Sequence, residues 1–203
     1  MKNRTNVRWL TQLALLAAIL LVMNYTPLGY LQLGPLSASL LTVPVAIGAM
    51  TMGPLAGAIL GGIFGATSFI QMVEGKSAMG AALFSVNPFG AFVVSFVARV
   101  LEGLCVALIF NALRKAMPKK EKLCCVIGAI CTPVLNTVFF MGFLVLFFYN
   151  CDYVQNLAQT LGATNAFMFI VLLVGVQAVI EWLICGVVAS AVTLPVRKYL
   201  KLN

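Results

Sequence analysis

The chain has 203 residues, of which 62% are hydrophobic and only 9% are charged. A soluble domain carries about 25% charged residues, so the composition excludes one and indicates an integral membrane protein. The net charge is +8, but the basic residues flank apolar runs, which argues against a nucleic-acid-binding face. Histidine is absent, which removes Ser–His dyads and histidine-based metal sites.

Six apolar segments predict six membrane-spanning helices, because a span needs about 20 predominantly apolar residues. Turn-forming pairs such as Gly53-Pro54 separate them. The predicted helices cover residues 9–24, 36–52, 55–72, 88–113, 123–149 and 166–194. We therefore expect an all-α polytopic membrane protein, a compact six-transmembrane-helix bundle that forms one substrate-binding domain over residues 1–203.

The three connections at one end of this predicted bundle are long and rather apolar. Residues 24–35 hold two prolines, two glycines and two tyrosines, which excludes a regular helix. Residues 73–87 and 150–165 form the other two connections. Irregular backbone at the membrane needs protein or a cavity around it, so we expect semi-buried extracellular loops.

Small residues recur at four-residue spacing in two predicted helices. One row predicts close packing of the third helix against a neighbouring backbone. It consists of Gly53, Gly57, Gly61 and Gly65. Ala14 and Ala18 form a similar pair in the first helix. For this pair the residues alone leave two possibilities open, packing within the chain and contact with a partner helix.

The distribution of basic residues predicts the orientation in the membrane. Eleven of the 13 lie in the N-terminal tail, in the loop after the fourth helix and in the C-terminal tail. They are Lys2, Arg4, Arg8, Arg114, Lys115, Lys119, Lys120, Lys122, Arg197, Lys198 and Lys201. Cytoplasmic loops carry an excess of Lys and Arg, so we expect a multi-pass cell-membrane protein with both termini in the cytoplasm.

Several polar side chains lie inside the apolar segments. Arg99 and Glu102 lie about 16 and 21 Å along the fourth helix, at membrane depth. A charge that faces lipid there costs at least about 3 kcal/mol, so both side chains must face protein, water or a ligand. The candidate substrate-binding residues are Tyr30, Asn87, Arg99, Asn136, Gln177 and Glu181.

Structural roles remain open for three of these residues. Arg99 can pair internally with Glu102 or with Glu181. Asn136 can satisfy the carbonyl group that the proline inside the fifth helix frees. Tyr30 can be an anchor at the membrane interface.

A polar cavity beneath semi-buried loops predicts a binding module. An enzyme built on Glu102 and Glu181, or a channel, is the alternative. We assign no catalytic residue, because the only aspartate, Asp152, lies in a predicted loop. We assign no metal site, because the six cysteines show no CxxC spacing. No internal duplication typical of a self-sufficient transporter is evident.

The run TPLGY…GPLS…LLTVPVAIGAMTMGPLAGAILGGIFGATSF, within residues 26–69, and the SVNP segment at residues 85–88 are the most specific motifs of the chain. With the helix-one alanine pair and the six-helix layout, they resemble the substrate-binding S components of energy-coupling factor (ECF) vitamin transporters. Within that family the chain looks most like the pantothenate S component. S components for riboflavin, folate, pyridoxine or a thiamine precursor are the alternatives.

The resemblance implies a mechanism. An S component captures its vitamin outside the cell, and the loop between helices one and two closes over it. Ala14 and Ala18 would dock on a transmembrane T component, and two ABC-type ATPases would supply the energy. The chain itself would need no cofactor, because ATP is hydrolysed by the partner subunits. For pantothenate, Arg99 would bind the carboxylate, and the neutral candidates would bind the amide and hydroxyl groups.

Overall fold

The computed structural model describes residues 2–32 and 37–199. Within these ranges the chain is almost entirely helical, with one short antiparallel hairpin. The elements are α1 (Lys2–Tyr25), β1 (Tyr30–Gln32), β2 (Ser37–Ser39), α2 (Thr42–Met52), α3 (Pro54–Val73), α4 (Ala78–Val86), α5 (Pro88–Phe92), a π-helical turn (Val93–Val97), α6 (Ala98–Ala116), α7 (Glu121–Phe148), α8 (Asp152–Thr160) and α9 (Ala166–Tyr199).

Five helical segments of the described chain are long and apolar enough to cross a membrane. They are Val7–Tyr25, Pro54–Val73, Pro88–Ala116, Glu121–Phe148 and Gln177–Tyr199. The predicted count of six spans is not confirmed, because α2 has only 11 residues and would extend about 16 Å of the roughly 30 Å that a span needs.

The predicted start of the second helix was wrong. Residues 37–39, which we expected to be helical, form β2 and pair with β1 in the register Tyr30↔Ser39. The hairpin occupies part of the predicted loop 24–35, of which residues 33–35 lie outside the described residues. Residues 37–39 therefore pair with β1 instead of extending α2 toward the N-terminus.

Two of the predicted loops contain short helices, which corrects the loop assignment. In the 73–87 connection, Ser77 Oγ accepts a hydrogen bond of 2.9 Å from the Gly80 N–H and caps α4. In the 150–165 connection, Val154 and Ala158 lie four residues apart on α8, and both are buried. A short helix with one apolar face is stable here because the bundle covers that face.

The glycine row on α3 packs directly against the backbone of the Pro88–Ala116 helix. A Cβ atom at Gly57, Gly61 or Gly65 would overlap backbone atoms of Gly103, Arg99 and Ser95–Phe96 respectively. Gly53 is not part of this contact. It links α2 to α3 with φ of +90°, a conformation that favours glycine. This close approach fixes α3 beside the residue that becomes the centre of the site.

Three contacts bring the basic segments to one end of the bundle. Trp9 Nε1 donates to the Met52 carbonyl at 3.5 Å. Arg197 Nη1 donates to the Met50 carbonyl at 2.8 Å, and Arg197 Nε pairs with Glu121 at 2.9 Å. The start of α1, the α6–α7 loop and the end of α9 therefore lie together. The hairpin, the α3–α4 connection and α8 lie at the opposite end.

Candidate binding site

A cavity of about 240 Å³ lies at the end of the bundle away from the basic residues. The hairpin, α3, α4, α6, α7, α8 and α9 all contribute to its wall. Its lining combines polar groups with thioether and aromatic side chains. The lining residues are Tyr30, Ser39, Ser68, Gln71, Met72, Ser77, Ala78, Met79, Gly80, Arg99, Asn136, Thr137, Phe140, Met141, Tyr153, Val174, Gln177 and Glu181.

The π-helical turn positions Arg99, the cation of this cavity. Arg99 Nη1 donates to the carbonyl groups of Val94 and Ser95 in the turn, at 3.2 and 2.9 Å. The guanidinium also lies over the rings of Phe64 and Phe140, at 4.5 and 5.3 Å from their centroids. π-helical turns occur frequently at functional sites. Here the carbonyl groups of the turn and two aromatic rings, all of them uncharged, hold the charged guanidinium group in place.

Arg99 forms no ion pair with either of the two carboxyl groups proposed for it. The ion pairs in the described part of the chain join Lys76 to Glu74 and Arg197 to Glu121. Arg99 Nε is buried and has no hydrogen-bond partner. Arg99 therefore lines the cavity with one buried N–H group that has no hydrogen-bond partner in the described part of the chain.

Glu181 ties the hairpin to α9. Its Oε1 atom accepts a hydrogen bond of 2.6 Å from the Ser39 N–H and a longer one of 3.4 Å from the Gln177 amide. Charge-assisted hydrogen bonds from a backbone N–H to a carboxylate are among the stronger ones. One wall of the cavity is thereby fixed over the helices.

A second contact between the hairpin and the helices involves Asn24 at the end of α1. Its Oδ1 atom accepts hydrogen bonds from the Tyr30 hydroxyl and from the Gln71 amide, both at 3.2 Å. Burial raises the pKa of the Tyr30 phenol, so the hydroxyl keeps its proton and acts as a donor. Tyr30 is half-buried in the cavity wall and is not an exposed interfacial anchor.

Asn136 faces the cavity from α7, one turn after Pro133. Its Oδ1 atom is buried without a hydrogen-bond partner, whereas Thr132 Oγ1 donates to the Gly128 carbonyl at 3.0 Å. The hydroxyl groups of Ser39 and Ser68 are also buried and unpartnered in the cavity lining. Unsatisfied buried polar groups are costly, so these groups are suited to hydrogen bonds with a polar ligand.

The structure brings five of the six predicted substrate-binding residues to one cavity: Tyr30, Arg99, Asn136, Gln177 and Glu181. Asn87 is not among the lining residues. Its side chain accepts from the Gly90 N–H at 3.0 Å and caps α5, because an Asn before Pro88 at the first helical position is a strong helix start. Whether the five residues bind a substrate remains a prediction.

Sequence reasoning missed several lining residues, notably Ser68, Gln71, Thr137 and Tyr153. Two of these residues, Ser68 and Gln71, could have been found from their spacing relative to the glycine row of α3. Ser68 lies three residues after the last glycine of the α3 row, and Gln71 follows one turn later. In the described part of the chain, no group of three His, Cys, Asp or Glu residues is arranged to hold a metal ion.

Ala14 and Ala18 are exposed on α1. Their exposure argues against packing within the chain, and contact with a partner helix stays a prediction. The neighbouring side chains Leu15 and Ile19 are exposed as well. The outer face of α1 is therefore apolar, with small residues four apart.

These features are typical of a membrane-embedded binding module: a cavity at one end of the bundle, lined by polar and apolar side chains. The family model for the substrate-specific component of ECF transporters matches residues 8–193. The chain therefore belongs to this family of transporter substrate-binding components, whose members are membrane proteins.

One curated relative is the pantothenate transporter PanT of Leuconostoc mesenteroides subsp. mesenteroides. It is 32% identical over 97 residues, which are 48% of this chain and 45% of that protein. The chain thus matches less than half the length of the relative.

Proposed function

We propose that the chain is the vitamin-binding subunit of an ECF importer and that its vitamin is pantothenate. The observation that carries the proposal is Arg99, a buried cation in the cavity lining whose Nε has no partner in the protein. Pantothenate is a carboxylate, and a guanidinium group binds a carboxylate through two parallel hydrogen bonds. An acidic vitamin would supply a carboxylate in direct contact with Arg99, which neither ion pair of the described residues provides.

The rest of the pantothenate molecule is an amide, two hydroxyl groups and a short branched carbon chain. Ser39, Ser68 and Asn136 offer buried polar atoms without partners for the amide and hydroxyl groups. Met72 and Met141 offer apolar surface for the carbon chain. A few placed polar groups on a mainly apolar wall are typical of small-molecule sites.

The size of the cavity supports a small vitamin. Its volume of about 240 Å³ is below the range of about 300–1,000 Å³ that is typical of pockets for drug-sized ligands. Riboflavin and folate are considerably larger than pantothenate. The similarity to a pantothenate transporter over about half of the chain points in the same direction.

The proposal includes partners and an orientation. The basic end of the bundle would lie in the cytoplasm, with both termini, and the cavity would face outward. Ala14 and Ala18, exposed on α1, would let a helix of a transmembrane T component approach closely. Two ABC-type ATPases would hydrolyse ATP, and this chain would bind no cofactor of its own.

A thermal-shift assay on the purified chain in detergent tests the ligand. We expect pantothenate to raise the melting temperature in a saturable way, since a ligand at 100 times its Kd stabilises the folded state by about 2.7 kcal/mol. Riboflavin, folate, pyridoxine and thiamine precursors should leave it unchanged. A shift with one of these instead of pantothenate would refute the choice of vitamin.

Cysteine labelling tests the orientation. In a variant without native cysteines, Lys119→Cys should resist a membrane-impermeant maleimide added to intact cells. Lys76→Cys, in the exposed α3–α4 connection, is the matched control and should react. The reverse pattern would place the cavity on the cytoplasmic side.

A further inference from the structure

Glu102 is a buried carboxyl group that the proposed binding mechanism does not use. It is 0% exposed, it is not among the residues that line the cavity, and neither carboxyl oxygen has a hydrogen-bond partner. It lies three residues after Arg99, so the two side chains leave the same side of α6. The position of Glu102 is therefore behind the cavity and beside its cation.

Few titratable groups surround Glu102. Arg99 acts on it from its own helix, and Glu181 and Cys185 act on it from α9. The helices α2 and α3 contain no titratable side chain, and α7 contributes thiols within its buried length. Tyr30 faces Arg99 from the hairpin. The cluster thus holds one cation and two carboxyl groups.

The two carboxyl groups differ in their hydrogen-bond donors. Glu181 receives hydrogen bonds from the Ser39 N–H and the Gln177 amide, which stabilise a carboxylate. Glu102 receives none. A fully buried carboxylate without a hydrogen bond or an ion pair is far more costly than the neutral acid. The negative charge of the cluster therefore belongs on Glu181, and the proton belongs on Glu102.

We propose that Glu102 controls ligand binding by holding this proton. This inference rests on the proposed function, namely an acidic vitamin bound at Arg99. As a neutral acid, Glu102 leaves the charge of Arg99 available to the ligand. When Glu102 ionises, the resulting carboxylate competes with the ligand for the same guanidinium.

The direction of the pH dependence follows from this competition. At low pH, Glu102 is neutral and the acidic ligand binds with full affinity. As the pH rises through the titration of Glu102, the affinity falls by up to about tenfold per pH unit, the limit for one linked proton. A carboxylic acid ligand with a pKa near 4 stays ionised from about pH 6 to 9, so its own titration does not contribute.

The experiment compares pantothenate with its alcohol analogue pantothenol on the purified full-length chain from about pH 6 to 9. In the wild-type protein, we expect the dissociation constant of pantothenate to rise with pH and that of pantothenol to stay constant. In Glu102→Gln, which cannot ionise, pantothenate should bind at the low-pH affinity throughout. A wild-type affinity for pantothenate that does not change with pH, or a variant that keeps the wild-type slope, overturns the proposal.

Infrared difference spectroscopy, which subtracts the spectrum of a variant from that of the wild-type protein, gives a second test. It requires neither a ligand nor a variant that still binds one. The wild-type protein at neutral pH should show the carbonyl band of a protonated, non-hydrogen-bonded carboxyl group. The band should persist in Glu181→Gln and disappear in Glu102→Gln. Its absence from the wild-type protein overturns the role of Glu102. If the band is present but no acidic vitamin binds, the proposed function fails instead.

Discussion

Replacing Arg99 by glutamine separates recognition of the ligand carboxylate from the rest of binding. Glutamine keeps a polar side chain but removes the charge and the planar fork. In the protein, Arg99 Nη1 already serves the carbonyl groups of Val94 and Ser95, whereas Nε has no partner. The substitution should therefore remove a ligand contact and also loosen the π-helical turn.

The magnitude follows from what the ligand would lose. Truncating one partner of a buried, hydrogen-bonded charge pair costs about 2–5 kcal/mol. Since about 1.4 kcal/mol corresponds to a tenfold change in Kd, pantothenate should bind about 30 to 4,000 times more weakly to Arg99→Gln. Pantothenol has no carboxylate to leave unpaired, so its loss of affinity should be much smaller.

Isothermal titration calorimetry of both ligands with both proteins gives four binding free energies. Combined as in a double-mutant cycle, they isolate the coupling energy between Arg99 and the carboxylate. Arg99→Lys is the matched control, because it keeps the charge and should recover part of the pantothenate affinity. An unchanged melting temperature would show that the π-helical turn tolerates the variant. If Arg99→Gln weakens the acid and the alcohol equally while it stays folded, Arg99 does not bind the carboxylate.

Three further substitutions test the interface, the packing and the hairpin. Ala18→Trp should keep ligand binding but abolish uptake by the assembled transporter, because the indole would hold a partner helix away. Normal uptake by Ala18→Trp would exclude this face as the interface. Gly61→Ala should lower the melting temperature by the equivalent of about 1–3 kcal/mol, since its Cβ atom overlaps a backbone carbonyl. Gly142→Ala, with no atom within 4 Å of the new Cβ, should match the wild type, and equal losses in both would contradict the packing argument. Tyr30→Phe removes the hydrogen bond from the Tyr30 hydroxyl to Asn24 in α1, which is worth about 1 kcal/mol. Stopped-flow measurements should therefore show a ligand dissociation rate about fivefold higher. An unchanged rate would show that this hydrogen bond does not hold the hairpin closed.

The long helices and the close packing of α3 were predictable because both follow from local sequence. An apolar run of more than 20 residues determines a helix such as α7 by itself, and its bounds, Glu121–Phe148, differ by only one or two residues from the predicted 123–149. The row of Gly53, Gly57, Gly61 and Gly65 predicts a close neighbour without naming it, and the contact is present at the last three of these glycines but not at Gly53. The structure adds that the neighbour is the helix that carries Arg99.

The hairpin and the short helices were not predictable in the same way. Residues 37–39 are extended because they pair with β1, and a partner strand does not show in the local pattern. The short helix α8 is stable because the bundle covers Val154 and Ala158, so its existence depends on packing with distant residues. Asn87 was predicted to bind the ligand, although an Asn before Pro88 also favours a helix cap, and the Gly90 contact shows the cap.

The ion pairing of Arg99 is another feature that local sequence does not predict. The sequence left Arg99 free to pair with Glu102 or with Glu181. Among the described residues it forms an ion pair with neither, and the carboxyl group that receives hydrogen bonds is Glu181. Its strongest donor is the Ser39 N–H, 142 residues away in the chain and on the hairpin. A movement that lifted the hairpin from the cavity would break this bond, so we expect opening of the site to change the surroundings of Glu181 as well. We therefore expect the hairpin to influence both access to Arg99 and the electrostatic field that an acidic ligand would meet there.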